Sequence, residues 1–154
     1  MNSRCFLNCL APLGAGLFAA ALWAGDTAIS DGQNAENLVG QIDGGGNPVY
    51  TQSGPYNSQT LYGMNLPYDV ELDTTSHRLF IMDYVASRIL EYDLDSSNAI
   101  VDRTPDHVIG QLNFTSIYSG VSQRNLSYST GLHFDPGSNR LFVGDQPNNR
   151  VMIF

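Results

Sequence analysis

The sequence predicts an all-β fold built from a repeated unit, and three observations carry that prediction. The first is self-similarity. Arg78-Leu-Phe-Ile-Met-Asp83 returns 62 positions on as Arg140-Leu-Phe-Val-Gly-Asp145, and each copy reaches a further arginine at one offset, Arg88 and Arg150. Asp73, Ser76, Ile89 and Tyr92 of the first copy match Asp135, Ser138, Val151 and Phe154 of the second. A repeat at fixed spacing marks an array of similar units stacked on one another. The second observation is apolar residues at period two, the spacing of strands. The third is composition: 15 glycines, 7 prolines and 8 tyrosines, which are turn and strand formers with few helical patterns between them.

Taken in order, the chain opens on Arg4 and a mostly apolar stretch, Cys5 to Ala24, before Gly25-Asp26. One basic residue, an apolar run and small residues at its close form the pattern of a secretory signal. Residues 1–25 are therefore expected to be a signal peptide, and the protein extracytoplasmic: secreted, periplasmic or at the cell surface. An uncleaved membrane anchor is the alternative, since about 20 apolar residues span a bilayer, although Asn8 and Pro12 interrupt the run. Cys5 and Cys9 are the only cysteines. Removing the segment would leave neither a disulfide framework nor a thiolate metal ligand.

Residues 26–41 read as the end of a preceding unit, because Leu38-Val-Gly-Gln41 is echoed by Val108-Ile-Gly-Gln111. After a long loop, Val70 and Leu72 alternate with Asp69, Glu71 and Asp73, giving a strand over about 67–73. Asp73-Thr-Thr-Ser-His77 turns the chain into a second strand near 78–84, and Tyr84-Val-Ala-Ser87 into a third near 88–94. A fourth is expected near 106–112. The second copy repeats the scheme, with turns at Asp135-Pro-Gly-Ser-Asn139 and Gln146-Pro-Asn-Asn149. Four short antiparallel strands per unit make a β-propeller blade. The expected fold is thus a partial β-propeller of four-stranded antiparallel blades. Residues 42–112 form one blade with a long entry loop, and residues 113–154 form a second, incomplete one. The period exceeds the usual range of roughly 40–50 residues, and the excess lies in loops 42–65 and 112–127. Two blades do not close a ring, which takes about four to eight. The chain is therefore expected to be a fragment of a longer repeat protein, or to share a propeller with other chains. Leu38–Gln41 could serve as an outer strand for another blade.

The repeat resembles the NHL family, whose blade core runs apolar-Tyr/Phe-Val-x-Asp, a short polar turn with Asn, then Arg-Val-x-x-Phe. The second copy follows it through Leu141-Phe-Val-Gly-Asp145, Asn148-Asn-Arg150 and Val151-Met-Ile-Phe154. The first keeps Asp83 and Arg88 but carries Ala86-Ser87 where the family prefers Asn-Asn. The resemblance covers roughly residues 26–154. It implies a propeller, often six-bladed, that presents a face to proteins, glycans or other polymers.

A net charge of −8, with arginine as the only cation apart from histidine, disfavours nucleic acid and anionic lipid as partners. Asp83/Arg88 and Asp145/Arg150 recur once per unit, so they read as braces of the hairpin, a geometry suited to carboxylate–guanidinium pairing. His77, His107 and His133 lack a partner at ligand spacing. Asp93-Leu-Asp95-Ser-Ser97 is rejected as a calcium loop, since Asn98 stands at the glycine position and Thr104 at the glutamate position. No Gly-x-Ser-x-Gly elbow or phosphate loop occurs, and no cofactor or metal is expected. Loops 42–65 and 112–127 carry Tyr50, Tyr56, Tyr62 and Tyr118 among small polar residues, a composition suited to binding surfaces. The expectation is a non-catalytic scaffold that binds a protein or glycan through these tyrosines. The alternative, implied by the resemblance, is a propeller enzyme of the peptidyl-amide lyase or lactonase type with a metal in its channel.

Overall fold

The computed structural model describes residues 31–51 and 60–154. The expected leader and Tyr56 lie outside the described residues. Contacts divide the chain into Met1–Asn34 and Ala35–Phe154. Of the first unit only residues 31–34 are described, with a turn at Asp31–Gly32; everything below concerns the second.

That unit is all-β, with two antiparallel sheets. The first holds β1 (Pro67–Asp73), β2 (Arg78–Asp83), β3 (Arg88–Asp93) and β4 (His107–Ile109), in that spatial order. The second holds β5 (Gly131–Asp135), β6 (Arg140–Asp145) and β7 (Arg150–Ile153), and a short 3-10 turn, Gln146–Asn148, joins β6 to β7. The register is that of plain hairpins: Asp73 opposes Arg78 and Asp83 opposes Arg88, and Asp135 with Arg140 and Asp145 with Arg150 do the same.

The turns follow from their side chains. Asp73 Oδ1 accepts from the amides of Thr75 (3.0 Å) and Ser76 (3.1 Å), and Asp135 Oδ1 from Gly137 (3.0 Å). Such local bonds let aspartate close a turn on its own backbone. His77 and Asn139, which end the two turns, take positive φ of 56° and 52°. The fourth strand is shorter than the sequence suggested, because Gly110 leaves the ladder at a φ of +90°.

The two sheets stack face to face. Phe80, Met82 and Ile89 of the first meet Phe134, Leu141 and Val143 of the second, and Leu126 closes the cluster. Asp69 and Glu71 of β1 lock the stack from the side: their carboxylates accept from the amides of Leu132 (2.8 Å) and Phe134 (3.1 Å) of β5. Arg78 lies over the rings of both Phe80 and Phe134, with its guanidinium carbon 5.3 and 5.0 Å from their centroids. On the other face of the first sheet, Ile81, Leu90 and Tyr92 pack with Met64 and Val39. The first sheet is therefore covered on both sides across β2 and β3, and the second on one.

Candidate functional site

The repeated ion pairs are built alike. In the first sheet Arg88 Nε donates to Asp83 Oδ2 at 2.8 Å, and its Nη2 to the carbonyls of Gly63 (2.6 Å) and Thr60 (3.1 Å). Arg88 also donates to the carbonyl of Phe114. Asp83 Oδ1 accepts from the amide of Asn65 at 2.8 Å. In the second sheet Arg150 Nε donates to Asp145 Oδ2 at 2.7 Å and Nη2 to the carbonyl of Asn125 at 2.7 Å. Asp145 Oδ1 accepts from the amide of Ser127 at 2.9 Å. Gly63 and Asn125, and Asn65 and Ser127, stand at the same repeat offset. Each pair thus ties the β2–β3 or β6–β7 turn to the loop entering its sheet, a structural task, and among the described residues no buried side-chain nitrogen or oxygen is left without a partner.

Tyr50, Tyr62 and Tyr118 are exposed and stand apart. Tyr50 bonds the carbonyl of Glu36 at 3.3 Å beside a groove formed with Met64 and Leu66. Tyr62 lines a different, polar cleft with Asp43, Asp102 and Arg103. Tyr118 is held by its backbone, which exchanges bonds of 3.1 and 2.7 Å with the side chain of Gln111. Among the described residues no ring contact involves any of the three.

Three other tyrosines do gather. Tyr68 in β1, Tyr84 just after β2 and Tyr128 in the approach to β5 form a row. Tyr68 and Tyr84 stack at 5.5 Å between centroids with 29° between planes, and Tyr84 and Tyr128 meet at 5.4 Å, tilted by 55°. Such offset pairs favour aromatic contact beyond simple burial. The backbone fixes the row: the Tyr84 amide donates to the carbonyl of Leu66 (3.2 Å), and the Tyr128 amide to Ser87 Oγ (3.1 Å). Tyr68 is 62% exposed and Tyr128 40%, so a continuous aromatic strip faces solvent where the two sheets meet. At the repeat offset these positions hold Thr130, Gln146 and Leu66. The row therefore occurs once and is not part of the repeated scaffold. Sequence reasoning missed it by looking within the long loops, whereas a position-by-position comparison of the copies would have exposed all three.

The histidines occupy separate environments. His77 Nδ1 lies 2.8 Å from Asn98 Oδ1, His133 Nδ1 3.4 Å from Glu71 Oε1, and His107 opposes Glu91 across β3 and β4. Among the described residues no three His, Cys, Asp or Glu side chains gather around one point. Asp95 spends its carboxylate on its own loop, accepting from the amides of Ser97 (2.8 Å) and Ala99 (3.0 Å). The bond from the Ser97 hydroxyl (2.6 Å) and then these two amide bonds lower its pKa. Among the described residues no helix is long and apolar enough to cross a membrane; the apolar segment raised above lies outside them. No family model matches the chain, and no curated protein matches it.

Proposed function

We propose that the protein is a non-catalytic, extracytoplasmic scaffold of NHL-type propeller blades that binds a protein or polymer ligand through the Tyr68–Tyr84–Tyr128 row. The row is the single observation that carries this reading. It is exposed, rigidly held and present once. Tyrosine rings offer apolar faces with a polar tip, and so take up sugar rings or extended peptide at small entropic cost. Charge argues against an anionic ligand. Arg78, Arg88 and Arg150 are committed to Asp73, Asp83 and Asp145, and Arg103 to Asn37. The remaining arginines sit on a chain whose net charge is −8.

The test is affinity gel electrophoresis of the full chain through gels containing laminarin, dextran or hydroxyethyl cellulose. At least one polysaccharide should retard the protein, and Tyr68→Ala with Tyr128→Ala should reduce the retardation by about tenfold or more, as loss of two aromatic anchors does. Equal retardation of the double variant, with its circular dichroism unchanged, would show that the row is not the binding surface.

A further inference from the structure

The seam between the two sheets is a worked example of how one repeat seats another, and each half of it recurs uncovered elsewhere in the molecule. The first half is a face with an edge. Phe142 and Val151 stand at the repeat offset from Phe80 and Ile89. Phe80 and Ile89 are 3% and 0% exposed beneath the second sheet, whereas Val151 is 64% and its neighbour Ile153 55% exposed. The outer edge of β3 is paired with β4, while that of β7 has no partner strand among the described residues.

The second half is an unpaired segment with a groove. Leu38-Val-Gly-Gln41 echoes Val108-Ile-Gly-Gln111, and the two glycines share a backbone conformation: Gly40 and Gly110 have φ of +89° and +90°. A Cβ on Gly40 would press on Met64, and one on Gly110 on Leu126; Met64 and Leu126 are themselves repeat equivalents. Val39 packs beside Met64 as Ile109 packs beside Leu126. One component differs. At Gly110 the Ala86–Ser87 turn fills the space, with Gln111 Nε2 donating to the carbonyls of Ala86 and Ser87 at 3.1 Å each. At Gly40 there is instead a groove of about 350 Å³, lined by Gly40, Gln41, Met64 and Leu66. Val70 and Leu72, equivalents of the packed Leu132 and Phe134, are 60% and 47% exposed on the first sheet.

We propose that a second copy of this chain completes both halves at once. Leu38–Gln41 of one copy adds to β7 of the next as a fourth strand, with Val39 opposite Val151 and Leu38 opposite Met152. That register is the one in which Ile109 opposes Ile89 and Val108 opposes Leu90. The Gln146–Asn149 turn of the donor of β7 enters the groove, where the Gln41 amide donates to the carbonyls of Asn148 and Asn149. The turn is already shaped for this: Asn149 has a φ of 52° and Ser87, its equivalent, 51°. Strand addition to an exposed edge supplies backbone bonds, and the apolar face supplies burial. The contact is head-to-tail, so it repeats from copy to copy until a ring closes. With two sheets per copy and about four to eight blades per propeller, about two to four copies suffice. This inference rests on the propeller reading above, but not on the tyrosine row.

The test mixes two full-length variants, both carrying Cys5→Ser and Cys9→Ser, one with Val39→Cys and the other with Val151→Cys, under mild oxidation. A disulfide-linked dimer should form in the mixture and in neither variant alone. Light scattering of the unmodified chain should give about two to four times 16.8 kDa. Val151→Asp should weaken association by about tenfold or more, because its repeat equivalent Ile89 is 0% exposed under the second sheet and a carboxylate there would be buried. A monomer at every concentration, a larger species without the 39–151 link, or capture of a different polypeptide by Val151→Cys would each overturn the proposal. Polysaccharide retardation that persists in a monomer would leave the binding function standing while this inference falls.

Discussion

The two sheets carry the same motif in different surroundings. In the first, Asp83 and Arg88 are both fully buried; in the second, Asp145 is buried but the side chain of Arg150 is 24% exposed. The arginine–aspartate bond and the bond to the entry-loop carbonyl are the same in both, so the difference lies in burial and in the two further carbonyls, of Thr60 and Phe114, that Arg88 holds. The first sheet lies between the second and the side chains of Val39 and Met64, while the outward face of the second carries half-exposed Phe142 with exposed Val151 and Ile153. One sequence pattern thus specifies one geometry, and the position of its copy in the stack decides how much that geometry contributes to stability.

The largest expected effect separates the two arginines. Arg88→Met leaves the Asp83 carboxylate buried without its cation and strips the carbonyls of Gly63, Thr60 and Phe114 of their donor. It should cost about 3–5 kcal/mol in urea unfolding, the range for breaking a buried pair. Arg150→Met removes a partly solvated guanidinium and should cost about 1–2 kcal/mol, since water can replace part of what is lost. Equal costs would show that burial does not set the energetics of the brace.

Phe80 and Phe142 sharpen the same comparison. Phe80 is 3% exposed and stacks on Phe134 with centroids 5.6 Å apart. Its replacement by Ala should cost about 3–5 kcal/mol, because the covered site cannot collapse around the void. Among the described rings Phe142 meets only His133, at 6.5 Å, and Phe142→Ala in dilute protein should cost under about 1 kcal/mol. A large loss at Phe142 would mean that its face is covered in solution.

Much of this fold was legible because its signals are local. Period-two alternation located β1, β2 and β3 to within a residue, and Asp73 and Asp135 announced the turns that their carboxylates close. The repeat offset anticipated matched braces at Asp83/Arg88 and Asp145/Arg150. What could not be read is what depends on stacking: which copy is covered, and that Asp69 and Glu71 hold the edge of β5. The tyrosine row was hidden for the same reason. Its members come from a strand, a turn and a loop end, and they become neighbours only once the second sheet is seated on the first.

The finest test of the comparison is protonation. Burial pushes the pKa of Asp83 up, more strongly than the Asn65 amide and the Arg88 charge pull it down. At Asp145 burial again raises the pKa, but bonds from Asn148, Arg150 and Ser127 outweigh it, so the net shift is downward. Acidification through the carboxylate range should therefore protonate Asp83 above the ordinary aspartate value of about 3.8 and Asp145 below it. The linked stability effects have opposite signs. The raised group favours the folded state at pH below its unfolded pKa, and that contribution is lost as pH rises through its folded pKa. The depressed group contributes above its unfolded pKa and loses that contribution as pH falls through its folded one. Carboxyl ¹³C titration of the folded protein reads both midpoints directly. Midpoints in the reverse order would mean that the bonds to Asp83, not its burial, dominate in the covered sheet, and the distinction drawn between the two sheets would fail at its most sensitive point.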